Sequence, residues 1–514
     1  AAPGVWPDTP CCPPAAAAAS VRARPPMELD APLSPRGRGV FGWVPDHSSV
    51  EVAEREEVGR YLLLVRPVRR GEALLVEDAL FLSPGDQSEL EELIRYMLDP
   101  EAAAAASAAS AEWLPVSAQL SLIVVRALLE DGESPSPSCE EFRQLRGEQE
   151  RWAVQAGRLW ELLRPELRAQ ITREAMGEVY SIVASNAHAA EGGRAGIFRF
   201  GSYAEHSCAP SAFKEVVVPV EDVSRPSSPC CPSAVQELVQ EDEASLPAPQ
   251  TPGKPQRARQ PQLVIRALRD MAEGDVVSLS YIPEYLPTWR RRQLLQAGYD
   301  FHCMCDRCER RPELVCAFVC GKCGDGPVSP TAPVTVPGGL QGHAFGCENC
   351  GALTEEAEQI QAWVQAEVAE VVSQESTQLL HPFHHKIFGM YLNNMQALPA
   401  SDRIQASEQL MSAQRRLSGS SSHPMIARLC ELEAGAQLEV GDHHEALAVL
   451  RRAQELYGTS HRGPPDPGHI LRCYRLQMKV EAGPLGAKPR RLSKIPGRSP
   501  SLPSLAENDS EEVS

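Results

Sequence analysis

The chain has 514 residues, too many for one compact unit, so two or three domains are expected. Forty-three per cent of the residues are hydrophobic, enough for a sizeable core, and no uncharged apolar run reaches the roughly eighteen residues needed to span a bilayer. A formal net charge of −18 argues against a protein that coats nucleic acid by neutralising phosphates and suits a basic, lysine-rich protein partner.

In chain order, residues 1–47 are rich in Pro, Ala, Gly and Arg, with an alanine run ending at Ser20. That composition buries too little apolar surface to offset chain entropy and predicts a disordered leader. It opens Ala-Ala-Pro-Gly, without a charged-then-apolar signal segment. Order is expected from near Val50, with strands at Tyr61–Val65 and Ala73–Val76 around a turn at Arg70-Gly71-Glu72. Residues 88–180 read as helices, with Leu90, Leu93, Ile94 and Met97 on one face and Leu120, Ile123, Val124 and Leu128 on another. Breaks are expected at Ala102–Ala111 and Asp131–Ser138. Strand character returns at Ile197–Phe200 and Phe213–Val220. Residues 221–262, rich in Pro, Ser and Glu, read as a disordered loop at a hairpin tip between Glu215–Val220 and Gln262–Ala267. Residues 355–482 are helical, and 484–514 form a polar, disordered tail.

The 16 cysteines are informative by placement, since eight fall between Cys303 and Cys350. In a reducing compartment such spacings are zinc ligands, and nothing in the sequence points to secretion. Cys303, Cys305 and Cys308 supply three thiols, and tetrahedral zinc needs a fourth, for which Cys208 is the candidate. The competing reading is three buried thiols packed as small hydrophobes. Cys320, Cys323, Cys347 and Cys350 form two CxxC knuckles, the plan of a zinc ribbon, with Cys316 and His343 close enough to replace one ligand. Closed four-ligand sites leave no open position, so both zinc ions are expected to be structural.

The order of three segments resembles the SET fold: His206-Ser207-Cys208-Ala209-Pro210, then Gly274-Asp275-Val276-Val277-Ser278-Leu279-Ser280-Tyr281-Ile282, then the CxCxxC cluster. Val58-Gly59-Arg60-Tyr61-Leu62 and Val68-Arg69-Arg70-Gly71-Glu72 are similar to that fold's opening strands. The resemblance covers about residues 50–310. It implies an α+β protein: a SET domain over 48–300 with a helical insert at 88–180, then a post-SET zinc module and zinc ribbon over 301–352. Within the SET lysine methyltransferases the SET-and-MYND subfamily is the nearest resemblance. It implies a helical, TPR-like domain over 355–482, where Gly441, Ala446, Leu450 and Ala453 sit at repeat-like intervals. A helical bundle packed on the core is the alternative there. The ribbon is similar to that of arthropod-type members. A MYND finger needs a cysteine cluster near residues 80–120, and the sequence has none there.

The resemblance further implies methyl transfer from S-adenosylmethionine to a lysine amine of a protein substrate. Tyr281 matches the tyrosine facing the reacting atoms. His206 matches the histidine bordering the adenosine, and Phe301 the aromatic stacked on adenine. Arg60, Asn186 and Glu205 are carried over to the same cofactor site. Three departures stand out: Glu205 replaces an asparagine, Ser211 and Ala212 follow Pro210 where a second asparagine is expected, and Tyr61 replaces the second opening glycine. The competing function is a catalytically degenerate scaffold that binds partner peptides through its helical tail. Neither direct nucleic-acid nor membrane binding is expected, a monomer is, and Lys488-Pro489-Arg490-Arg491 is a weak nuclear-import patch in a chain expected in cytoplasm, nucleus or both.

Overall fold

The structure, a computed structural model, describes residues 48–481 apart from 56–58, 111–112, 132–135, 191–192, 218–260, 310–312, 336–340, 355, 370–371, 373, 421–422 and 463–467. The leader 1–47, nearly all of the 221–262 loop, the tail 484–514 and the basic patch at Lys488 therefore lie outside the described residues.

Short strands and a block of helices make up the first 300 residues. The strands are β1 (Val50–Arg55), β2 (Gly59–Leu64), β3 (Ala73–Asp78), β4 (Phe81–Leu82), β5 (Ala187–Ala189), β6 (Ala195–Ile197), β7 (Glu205–His206), β8 (Ala212–Val217), β9 (Gln262–Ala267) and β10 (Ser278–Leu279). Between β4 and β5 run α1 (Gln87–Met97), α2 (Pro100–Ala109), α3 (Val116–Glu130), α4 (Pro137–Phe142), α5 (Gln149–Leu162), α6 (Pro165–Arg168) and α7 (Arg173–Asn186). β1 and β2 form one antiparallel pair, β3-β9-β8 a three-stranded sheet, β4-β6-β5 another, and β7 and β10 a parallel pair. Leu62, Leu74, Leu75 and Ile265 from the strands share one buried core with Leu120, Val124 and Met176 from the helices. The hydrophobic spacing in the sequence anticipated this alternation, since each apolar face is buried against the other layer.

Three expectations need correction. The break at Ala102–Ala111 is largely helix α2, because the Asp99 carboxylate accepts the backbone N–H groups of Glu101 and Ala102 at 3.1 and 3.0 Å and Pro100 opens the first turn. Alanine is the strongest helix former, and an exposed alanine-rich helix carries no hydrophobic period to read. The strand at Ile197–Phe200 ends at Ile197, where the chain turns into a 3-10 helix over Gly201–Tyr203. β1, half polar, was not anticipated as a strand. Conversely, β8 and β9 pair antiparallel with Val217 opposite Gln262, so the two strands flanking the long loop meet as expected.

Beyond β10 come α8 (Thr288–Tyr299) and α9 (Asp306–Glu309), then β11 (Phe318–Val319), β12 (Pro327–Thr335), β13 (Gln341–Cys347) and β14 (Leu353–Thr354), a four-stranded sheet in that order. The fully buried Trp363 of α10 (Ala357–Val368) stacks on Phe318 at 5.3 Å and anchors this sheet. The remaining helices are α11 (Gln374–Leu379), α12 (His385–Asn394), α13 (Ala400–Ser418), α14 (Pro424–Val440), α15 (His443–Ser460) and α16 (Gly468–Glu481). Gly441, in the left-handed conformation at φ 83°, ends α14, and Ala446, Leu450 and Ala453 bury one face of α15. Among the described residues no helix is long and apolar enough to cross a membrane.

The end of α15 docks on the β3-β9-β8 sheet. Gly71 O accepts the N–H of Arg462, and the fully buried Arg266 guanidinium donates to Arg462 O at 2.8 Å and to Glu215 at 3.0 Å. His461 Nε2 lies 3.4 Å from the other Glu215 oxygen. Burial works to raise the Glu215 carboxyl, but His461 and Arg266 hold it below its ordinary value. The tail is thus tied to the sheet by a shared, buried charge network.

Candidate functional site

The site forms where β7 and β10 run side by side, with Glu205 opposite Ser278 and His206 opposite Leu279. Just before β7, the buried carboxylate of Glu77 on β3 accepts the N–H groups of Phe200 and Gly201 at 2.9 Å each. Those bonds fix the turn that delivers residues 203–206. Ser211 fills the place of the second expected asparagine: its hydroxyl donates to Val276 O at 3.2 Å and accepts Ser278 N–H at 2.9 Å. It therefore locks the loop after β7 onto the segment leading to Tyr281.

His206 is held on both ring nitrogens. Nδ1 accepts the Tyr281 N–H at 3.1 Å, so the ring proton sits on Nε2, which lies 3.3 Å from Cys208 Sγ and donates to it. Burial holds the imidazole neutral, down to about 4. Its ring centroid is 5.1 Å from Tyr281 and 5.6 Å from Phe301, and Tyr281 lies 4.9 Å from Tyr299 on its other side. The Tyr281 hydroxyl donates to Ala204 O at 2.5 Å. Burial first, then Tyr299 and Glu205, push the phenol well above its usual range, so it stays protonated and its oxygen lone pairs are what it offers a ligand.

The thiols meet as predicted. Cys208, Cys303, Cys305 and Cys308 place their sulfurs within 4.8 Å of one another, with Cys208 Sγ 3.8 Å from Cys303 and 3.5 Å from Cys308. Zinc–sulfur bonds of about 2.3 Å make a tetrahedron with edges of about 3.8 Å, so this donor set fits a zinc ion. Arg291, fully buried in α8, donates to Cys308 Sγ at 3.5 Å and pairs with Glu313 at 2.7 Å. Arg307 donates to Cys208 O at 2.8 Å and to Glu284 O at 2.6 Å. Four thiolates on a divalent ion carry net charge −2, and these guanidinium groups with the His206 N–H offset it.

The second quartet is Cys320, Cys323, Cys347 and Cys350, with sulfur separations of 3.8 Å (Cys320–Cys350) and 3.7 Å (Cys323–Cys347). Four cysteines form it without Cys316, whose thiol is 4.0 Å from Glu313; the side chain of His343 lies outside the described residues. Gly326 lies against the cluster: a Cβ there would be 2.5 Å from Cys347 Sγ and 2.9 Å from Cys323 Sγ. A third group, Glu367, His384 and His385, also lies within 4.8 Å. His384 Nδ1, however, accepts the Lys386 N–H at 3.2 Å, which leaves the proton on Nε2, 2.7 Å from Glu367. That nitrogen has no lone pair for a metal, so the trio is a helix cap in which a neutral His384 lies beside the Glu367 carboxylate.

The other expected site residues are placed as follows. Arg60 donates to the Tyr203 hydroxyl at 2.8 Å and to Gln144 O at 2.7 Å. Asn186, the last residue of α7, donates to Arg146 O and Ile182 O at 2.8 Å each. Tyr61 is buried, with the Arg55 guanidinium 4.1 Å above its ring. Glu205 Oε1 is buried, has no hydrogen-bond partner among the described residues, and lies 3.9 Å from Arg55. Glu77, Arg55, Arg291, Arg307 and Gly326 also belong to the site, and none of them lies in a motif that the sequence makes visible.

No family model matches this chain. Over 79 residues, 15% of the chain, it is 37% identical to Histone-lysine N-methyltransferase ATXR2 of Arabidopsis thaliana, and that stretch spans only 13% of the relative's own length. Part of the chain is thus related in sequence to a protein-lysine methyltransferase. Among solved structures, the SET domain of LSMT bound to lysine and AdoHcy covers 85% of this chain and 88% of its own at 10% identity and a TM-score of 0.29. The same domain bound to MeLysine and AdoHcy shows 12% identity and a TM-score of 0.27. Overlays this loose carry no residue correspondence.

Proposed function

We propose that this protein transfers a methyl group from S-adenosylmethionine to the side-chain amine of a lysine in a protein substrate. The observation that supports this reading most directly is the meeting of Cys208 with Cys303, Cys305 and Cys308. It closes the chain so that His206, Tyr281, Tyr299 and Phe301 cluster beside one four-thiol site. The relationship to a lysine methyltransferase over part of the chain agrees with it.

When bound, S-adenosylmethionine supplies an electrophilic methyl on a sulfonium. The protein's work is alignment and exclusion of water. Phe301 and His206 offer ring faces to the adenine end. Tyr281, its proton committed to Ala204 O, presents an acceptor oxygen that orients the incoming amine and carries no charge of its own. A phenol this far from ionising is no base, so the lysine must arrive neutral, favoured by the apolar walls. The finer assignment is a SET-and-MYND member without the finger, with α13–α16 as its TPR-like tail and zinc in both cysteine quartets. Reduced thiols suit the cytoplasm or nucleus.

The test is transfer from radiolabelled cofactor to cell extract by the full chain and by Tyr281→Phe. Label incorporated by the full chain and reduced about a hundredfold or more in the variant supports the reading. Equal label in both, or none in either, overturns it. Failure of the cofactor to protect the protein against heating would instead favour the non-catalytic scaffold, since a ligand of the folded state must stabilise it.

A further inference from the structure

Glu205 stands where the resemblance expects an amide, and three features of its surroundings belong together. First, the β1–β2 register sets Val52 opposite Leu62 and Arg55 opposite Gly59, so Arg55 and Tyr61 share one face of the hairpin and Arg60 lies on the other. Arg60 is engaged by Tyr203 and Gln144. Arg55 instead rests on the Tyr61 ring at 4.1 Å and reaches toward β7. Second, its Nη1 stops 3.9 Å from Glu205 Oε1, a charge pairing too long for a hydrogen bond. Third, among the described residues no donor reaches that buried oxygen, although a carboxylate oxygen removed from water without a donor is costly. Glu205 also directly precedes His206 on β7, and the His206 ring lies 5.1 Å from Tyr281, so the carboxylate borders the ring cluster.

We propose that Glu205 and Arg55 form a charge-paired clamp for the zwitterionic amino-acid end of S-adenosylmethionine: the orphaned Glu205 oxygen accepts from the α-ammonium, and the Arg55 guanidinium donates to the α-carboxylate. This assignment rests on the methyl-transfer reading. It also removes the repulsion that Glu205 alone would exert on the cofactor's carboxylate, because the pair is neutral and each charge meets its opposite. Tyr61, which replaces a glycine, becomes the platform that holds the guanidinium in place.

The test compares binding of S-adenosylhomocysteine and of 5′-methylthioadenosine, which lacks the amino-acid end, by calorimetry on the full chain. Side chains at both positions are partly exposed, 42% for Arg55 and 25% for Glu205, so Glu205→Gln and Arg55→Met leave the fold intact, as circular dichroism would check. Each variant is expected to weaken S-adenosylhomocysteine about tenfold or more while changing 5′-methylthioadenosine by less than about twofold. Unchanged S-adenosylhomocysteine binding in both variants overturns the clamp, as does an equal loss for both nucleosides. A wild-type chain that binds the two nucleosides equally overturns the clamp alone. One that binds neither overturns the methyl-transfer reading with it.

Discussion

Gly71 sits directly against the backbone of Thr459: a Cβ on Gly71 would lie 2.2 Å from the Thr459 carbonyl oxygen. The turn before β3 and the end of α15 touch main chain to main chain, and Gly71 also holds φ at 80°, where a side chain is strained. Gly71→Ala is therefore expected to cost about 2 kcal/mol or more and to loosen the tail from the sheet. Denaturant unfolding with limited proteolysis measures it. An unchanged midpoint and digestion pattern would show that the tail does not depend on this contact.

Glu77 predicts a pH dependence. Burial raises its carboxyl from 4.5 to about 7, against the lowering effect of the Phe200 and Gly201 N–H groups. A carboxyl with a raised folded-state pKa holds its proton more tightly folded than unfolded. Its contribution is full below pH 4.5 and is lost as pH climbs through about 7, a change on the order of 3 kcal/mol. Glu77→Gln should flatten the stability profile across that window, as chemical denaturation at pH 5 and pH 7 would show.

Two metal ions per chain are expected, one in each cysteine quartet. Gly326→Ala puts a methyl into the sulfurs of the second quartet only, so metal analysis of the purified variant should fall from two equivalents of zinc to one. Two equivalents in the variant would mean that the ribbon tolerates the added carbon.

Arg291 bridges Cys308 and Glu313 with no exposure to solvent. Arg291→Met removes one partner of a buried ion pair and one donor to a thiolate. The expected loss is about 3–5 kcal/mol, with zinc released to a chelator about ten- to a hundredfold faster. Chelator-competition kinetics separate the second effect from general destabilisation.

Legibility in the sequence followed how local the physics is. Cys208 was placed with thiols about a hundred positions away because a tetrahedral ion demands a fourth ligand whatever the chain does between. Helices with an apolar stripe, such as α3, announced themselves by their period. α2 did not, since its stability comes from the Asp99 cap and alanine propensity. Arg55 and Arg291 look alike on the page, yet one is 42% exposed in its side chain and the other wholly buried. Only the register of β1 on β2 and the packing of α8 on the thiols distinguish them. Glu77 is equally silent, because its role depends on backbone N–H groups more than a hundred residues away.

The pairing of Val217 with Gln262 has a consequence for engineering. Strand partners stand about 5 Å apart, so the chain departs and returns at one point on the sheet edge. A short turn can bridge that gap. Replacing the intervening residues with such a turn should leave the thiol quartet and the ring cluster undisturbed, and the seam marks where a reporter domain can be spliced in.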